Sequence, residues 1–282
     1  MSATIATLLA EARTRIAPAE ARLLLGHLLQ RSTAWLEAHR DELVDVAVER
    51  QMSALVGRRS AGEPMAYLLG AREFYGRDFA VTPDVLIPRP ETELLVDIAK
   101  EKVGASGAAK CAAHILDIGT GSGCLAITLA LECPNAEITA VDVSASALVV
   151  AQKNAQQLGA QVRFIESDWF AALPAQRFDL IVANPPYVAA DDPHLLQGDL
   201  RFEPQGALTD HADGLAAIRR IVAGAPDWLN PDGWLLLEHG YDQAAAVWEL
   251  LATAGFEAIA QQRDLAGIVR ITGGYHCASR IT

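Results

Sequence analysis

Ile115-Leu116-Asp117-Ile118-Gly119-Thr120-Gly121-Ser122-Gly123 runs a short apolar strand straight into a glycine-rich turn. Residues 125–131 then continue as an apolar helix. Glycines at alternate positions let the backbone turn tightly and let a ligand approach. Strand, glycine turn and helix together open an α/β fold. The alternation continues downstream. Strands are predicted over 136–141, 162–165, 178–183 and 234–238. Helices are predicted through Lys153 and Leu158, through Ile218 and Ile221, and through Val247 and Leu251. The segments 256–260 and 267–271 lie close enough to pair antiparallel. The expected fold is α/β: a doubly wound, mostly parallel sheet with an antiparallel last strand.

Upstream the pattern is different. Residues 2–60 read as helices, beginning with Ile5, Leu8, Leu9 and Ala12 at helical spacing. Pro18 suits the first turn of a second helix. A short helix includes Trp35 and Leu36, and a longer one runs over 45–59. Short connections predict antiparallel packing. Residues 73–76 and 78–81 read as a hairpin turning near Gly76 and Arg77. A helix is expected over 91–102 and a surface loop over 104–109. The domain reading is therefore a small helical N-terminal domain over 1–70, a β-hairpin linker over 71–85 and the α/β domain over 86–282.

The chain of 282 residues is 51% hydrophobic, enough for a substantial core. Its net charge of −12 argues against broad binding to a phosphate backbone, which needs a basic face. Cys111, Cys124, Cys133 and Cys277 show no C-x-x-C spacing and read as reduced, mostly buried thiols with no zinc site. No apolar stretch approaches membrane-spanning length, and no basic leader precedes an apolar run. The expected compartment is the cytoplasm.

Two loops carry the candidate chemistry. Asp142 ends the second strand, where a carboxylate accepts hydrogen bonds from ribose hydroxyls. Asp117 precedes the first glycine and is expected to orient the loop or to meet a ligand ammonium. Ser167-Asp168-Trp169 follows the third strand, with Asp168 suited to an exocyclic amine and Trp169 to an adenine face. The fourth strand ends in Asn184-Pro185-Pro186-Tyr187. Neither proline has an N–H for the ladder, and each restricts the residue before it to extended geometry. Asn184 is thus held at the carboxyl end of a strand, where ligands of open α/β sheets bind. Its side-chain oxygen and the Pro185 carbonyl make two neighbouring acceptors, which suit an –NH2 group. A dinucleotide site usually shows G-x-G-x-x-G/A around a pyrophosphate. Here G-x-G-x-G beside an amide-binding turn favours S-adenosylmethionine.

Asp117 to Gly123, Asp142, the N-P-P-Y turn and the antiparallel last pair resemble the class I S-adenosylmethionine-dependent methyltransferases. N-P-P-Y looks like the signature of members that methylate adenine, guanine or glutamine nitrogens. The stretches 72–76, 87–93, 167–170, 192–195, 198–204 and 237–240 are similar to the peptide-chain release factor glutamine N5-methyltransferases. That resemblance implies methylation of the glutamine in a Gly-Gly-Gln loop, with release factors as partners. It implies Gly119, Thr120, Gly121, Ser122, Gly123, Asp142 and Trp169 around the cofactor. It also implies Asn184, Pro185, Pro186 and Tyr187 around the glutamine. His194, Arg201 and Glu203 fall in the long loop that follows, either shaping a partner groove or forming loop salt bridges. The competing reading is a nucleic-acid base methyltransferase, which is expected to show a basic groove or an added target-reading domain. The acidic balance weighs against it.

Overall fold

The computed structural model describes residues 3–105 and 113–277. They form two compact units, one reaching Ala71 and including Gln197–Phe202, the other holding Arg72–Leu196 and the chain from Glu203 on.

The first unit is helical. It comprises α1 (Ile5–Ala12), α2 (Pro18–Leu29), α3 (Thr33–Ala38), α4 (Val46–Ser60) and α5 (Met65–Leu69). Thr4, Ser32 and Asp45 cap α1, α3 and α4 by accepting backbone N–H groups, and Pro18 occupies the first turn of α2. Leu24, Leu25 and Leu36 are fully buried in its core. Each such side chain contributes roughly 1.5–3 kcal/mol on burial.

The hairpin β1 (Ala71–Phe74) and β2 (Arg77–Ala80) follows, and from Arg72 on it belongs to the second unit. Tyr75 and Gly76 both take positive φ, as a tight hairpin turn requires. A 3-10 turn, Pro90–Thr92, leads into α6 (Glu93–Ala105). Gly104 and Ala105 therefore continue this helix rather than opening a loop. The rest of the expected loop lies outside the described residues.

The sheet elements follow in order: β3 (His114–Ile118), α7 (Cys124–Glu132), β4 (Glu137–Asp142), α8 (Ala145–Leu158), β5 (Val162–Glu166) and β6 (Phe178–Ala183). A long segment carries the short α9 (Gln205–Leu208), which the sequence pattern did not suggest. Then come α10 (Ala216–Trp228), β7 (Leu229–Glu238), α11 (Ala244–Thr253), β8 (Phe256–Arg263) and β9 (Val269–His276). The strand order is β5-β4-β3-β6-β7-β9-β8. The first five strands are parallel, and β9 runs antiparallel to both its neighbours. Side chains of β6 are buried on both faces, as a central parallel strand demands.

Two strands exceed expectation. β7 begins at Leu229 because Asn230-Pro231-Asp232-Gly233, a turn by composition, forms an irregularity within the pairing; Asp232 takes φ 63°. β9 runs past Ile271 through Gly273 and Gly274. A Cβ at Gly273 would lie 2.4 Å from Leu236 Cδ2, so glycine here permits close strand approach instead of breaking the strand. Cys124, Cys133 and Cys277 are free and only partly buried, a correction to the expectation of mostly buried thiols; Cys111 lies outside the described residues.

Candidate active site

A cleft of about 350 Å3 opens at the carboxyl ends of the strands. Gly119, Gly121, Asp142, Asp168, Trp169 and Asn184 line it, with Pro186 beside them and Val85 and Leu86 opposite. Its size falls within the range of small-molecule sites.

The glycine turn builds one wall. Gly119 and Thr120 donate their N–H groups to the Val141 carbonyl, tying the turn to the end of β4. Gly119 has φ 74° and Gly121 φ 54°, and a Cβ at either would meet nothing within 4 Å. A side chain there would stand in open space that a ligand needs. Gly123 serves packing instead: its Cβ would lie 2.8 Å from Ile127 Cδ1. Thr120 Oγ1 donates to Asp117 Oδ2 at 2.6 Å. Asp117 is 1% exposed, and burial, countered by the Thr120 hydroxyl, pushes its carboxyl up to about 7. Thr120 and Ser122 are likewise buried behind the wall.

Asp142 accepts the Gly121 N–H at 2.8 Å on one oxygen and the Ser144 N–H at 2.9 Å on the other. Burial raises its pKa while these N–H groups oppose the rise. Each carboxylate oxygen retains a further lone pair, as a ribose hydroxyl requires. Ser167 holds the next loop by accepting the Ala172 N–H and donating to the Trp169 carbonyl. Trp169 takes φ 55°, a strained geometry for a large side chain and one found at ligand sites. Arg220 donates to Asp168 at 2.7 Å and sits 5.9 Å over the Trp169 ring. Open glycines, a carboxylate and an aromatic wall fit an adenosyl ligand.

On the other wall, Asn184 Nδ2 donates to Thr92 Oγ1 at 3.1 Å. Among the described residues, Asn184 Oδ1 and the Pro185 carbonyl accept no protein hydrogen bond. Pro185 is buried. Tyr187 packs partly buried against the core on the α10 side of the sheet, and burial raises its hydroxyl pKa. Gln243 Nε2 donates to the carbonyls of Tyr187 and Gly214, both at 3.0 Å.

The fold thus gathers Gly119, Gly121, Asp142, Asp168, Trp169, Asn184 and Pro186 at one cleft. Asp117, Thr120, Ser122 and Gly123 support the turn from behind. Glu203 is 3% exposed and pairs with Arg89 at 2.5 Å. It also accepts the Ile87 N–H, fixing the approach to the 3-10 turn. His194 pairs with Asp192 in the open. Arg201 donates to the Ala61 carbonyl within the helical unit.

Three supporting residues escaped the sequence reading. Asn154, fully buried on α8, bonds both backbone groups of Ala80 and the Ser122 carbonyl. Its signal was a polar residue on the apolar stripe of Ala147, Ala151 and Ala155. Thr92 and Gln243 gave no comparable signal, because their partners are distant in sequence.

Two family models match the chain: the Methyltransferase small domain over residues 92–197 and the PrmC N-terminal domain over 3–70. The release factor glutamine methyltransferase of Bordetella pertussis is 58% identical, covering 91% of this chain and 94% of its own. That of Vibrio cholerae is 42% identical, covering 93% and 90%. Among solved structures, a Pyrococcus furiosus methyltransferase shares the fold with TM-score 0.53 at 17% identity, over 80% of this chain and 99% of its own. A T. thermophilus 16S rRNA N2 methyltransferase, solved with AdoMet and guanosine, has TM-score 0.54 at 22% identity, over 73% and 49%.

Proposed function

This chain belongs to the release factor glutamine methyltransferases, and we propose that it methylates the side-chain amide nitrogen of the Gly-Gly-Gln glutamine in peptide-chain release factors. The donor is S-adenosylmethionine, which when bound supplies an electrophilic methyl group on a sulfonium sulfur. Gly119 and Gly121 leave room for it, Asp142 accepts its ribose hydroxyls, and Asp168 and Trp169 meet its adenine. Asp117, Thr120, Ser122 and Gly123 keep that turn in shape.

A carboxamide nitrogen is a poor nucleophile because its lone pair is shared with the carbonyl. The protein's task is orientation. Asn184 Oδ1 and the Pro185 carbonyl each accept one N–H of the substrate amide. Tyr187 packs on the amide plane, and Pro186 stiffens the turn. Each hydrogen bond contributes only about 1 kcal/mol net, whereas a fixed near-attack geometry supplies on the order of 7 kcal/mol. Once methylated, the nitrogen is acidic enough to give its extra proton to solvent water, so a strong base is not required.

One observation carries the reading: Asn184, a residue of the cleft lining, spends its NH2 on Thr92, and its oxygen accepts no hydrogen bond among the described residues. The net charge of −12 supports a protein partner over a nucleic acid. Among the described residues no helix is long and apolar enough to cross a membrane, in keeping with a cytoplasmic reaction. Incubation with methyl-labelled donor, offering either a release factor or bulk nucleic acid, tests the proposal. Label is expected in the release factor alone; label in the nucleic acid would overturn it.

A further inference from the structure

Glu238 is the last residue of β7, and β7 pairs with β6 so that Leu237 lies opposite Ala183. Glu238 therefore ends its strand beside Asn184. It is 1% exposed, and one of its oxygens, Oε2, has no hydrogen-bond partner among the described residues. Thr92, the same buried threonine that accepts from Asn184, lies close enough to this carboxyl to hold its pKa down. A buried, half-satisfied carboxyl is costly, and a core position would be better filled by an apolar residue of similar volume.

Thr92 explains its presence. A hydroxyl has one proton. An ionised carboxylate only accepts, so the Thr92 proton goes to Glu238. The Thr92 oxygen is then an acceptor, and only the NH2 end of Asn184 satisfies it. The Asn184 oxygen is left for the cleft. We propose that Glu238 and Thr92 are positioning residues that fix which end of the Asn184 amide meets the substrate, and so make the site select an –NH2 group. This rests on the assignment of Asn184 to the glutamine amide. A glutamate side chain, which offers acceptors in place of the –NH2, is rejected for the same reason.

The relay depends on charge. A protonated Glu238 donates to Thr92, which frees the Thr92 proton to face Asn184 and favours the reversed amide. Around Glu238 stand Arg89 and Glu91 before the 3-10 turn, Arg270 of β9, Tyr187 after β6 and Cys124 at the start of α7. Arg89 is engaged by Glu203 and Arg270 by Asp264. Burial shifts Tyr187 upward, and desolvation of the thiol itself, on a residue only partly buried overall, pushes Cys124 up to about 12. Burial, opposed by the nearby Thr92 hydroxyl, brings Glu238 to about 7. Turnover should therefore rise as pH rises through neutrality.

The test compares wild type, Thr92→Val, Thr92→Ser, Glu238→Gln and Asn184→Ala on a release factor at saturating donor. Thr92→Val and Glu238→Gln are expected to lower kcat roughly tenfold or more, with donor affinity by calorimetry unchanged. Thr92→Ser is expected to restore most of the rate, and Glu238→Gln to flatten the pH profile of kcat near neutrality. A release factor carrying glutamate at the loop position should compete poorly against wild type and better against Glu238→Gln. If Asn184→Ala is inactive while Thr92→Val retains wild-type kcat and discrimination, the relay is wrong and the Asn184 assignment stands. If Asn184→Ala itself turns over normally, the underlying assignment fails.

Discussion

The two walls of the cleft are held by different kinds of contact. On the glycine-turn side, the bonds that shape the turn stay within one strand–turn–helix–strand segment: Thr120 bonds Asp117 three residues away, and Gly121 bonds Asp142 across 21. On the N-P-P-Y side the partners are remote. Asn184 is tied to Thr92 across 92 residues, and the Tyr187 carbonyl to Gln243 across 56. The turn of the first wall is complete once β3 and the next strand, β4, have paired. The second exists only once the 3-10 turn, β6 and the start of α11 have come together. The donor side and the acceptor side should therefore fail separately.

Asn184→Ala gives the largest expected effect. Single-turnover methyl transfer should fall by about a hundredfold or more, because orientation is lost, while donor affinity stays within a few-fold of wild type. Equal losses of both would break the division. Asp142→Ala should show the reverse, weakening donor binding roughly tenfold or more in calorimetry while leaving kcat at saturating donor within a few-fold. The smallest effect is on stability. Burial raises Asp117 and Glu238 to about 7 in the folded chain, above their unfolded values. The folded state therefore holds these protons more tightly. Their contribution is full below the ordinary carboxylate range and is lost as pH climbs through about 7. Thermal melts should show Tm falling by a few degrees between about pH 5 and pH 8, with a shallower fall in Glu238→Gln.

The same contrast governs what could be read without coordinates. The glycine turn, Asp142 and the strand–helix alternation were legible because period, turn chemistry and spacing are local properties. N-P-P-Y was legible as a strand end that presents acceptors. What aims it was not, since Thr92 looked like one more helix-start residue and Glu238 like the end of an apolar strand. The strands predicted over 234–238 and 267–271 stop short of Asn230-Pro231-Asp232-Gly233 and run out before Gly273-Gly274. In the fold β7 takes in the first as an irregularity, and pairing with β7 takes in the second.

Locating the transferred methyl group tests the central claim most directly. A release factor treated with this protein and S-adenosylmethionine would be digested and fragmented by tandem mass spectrometry, beside a variant whose Gly-Gly-Gln glutamine is alanine. One added methyl is expected on that glutamine side chain and none on the variant. A methyl group elsewhere, or equal methylation of both proteins, would contradict it.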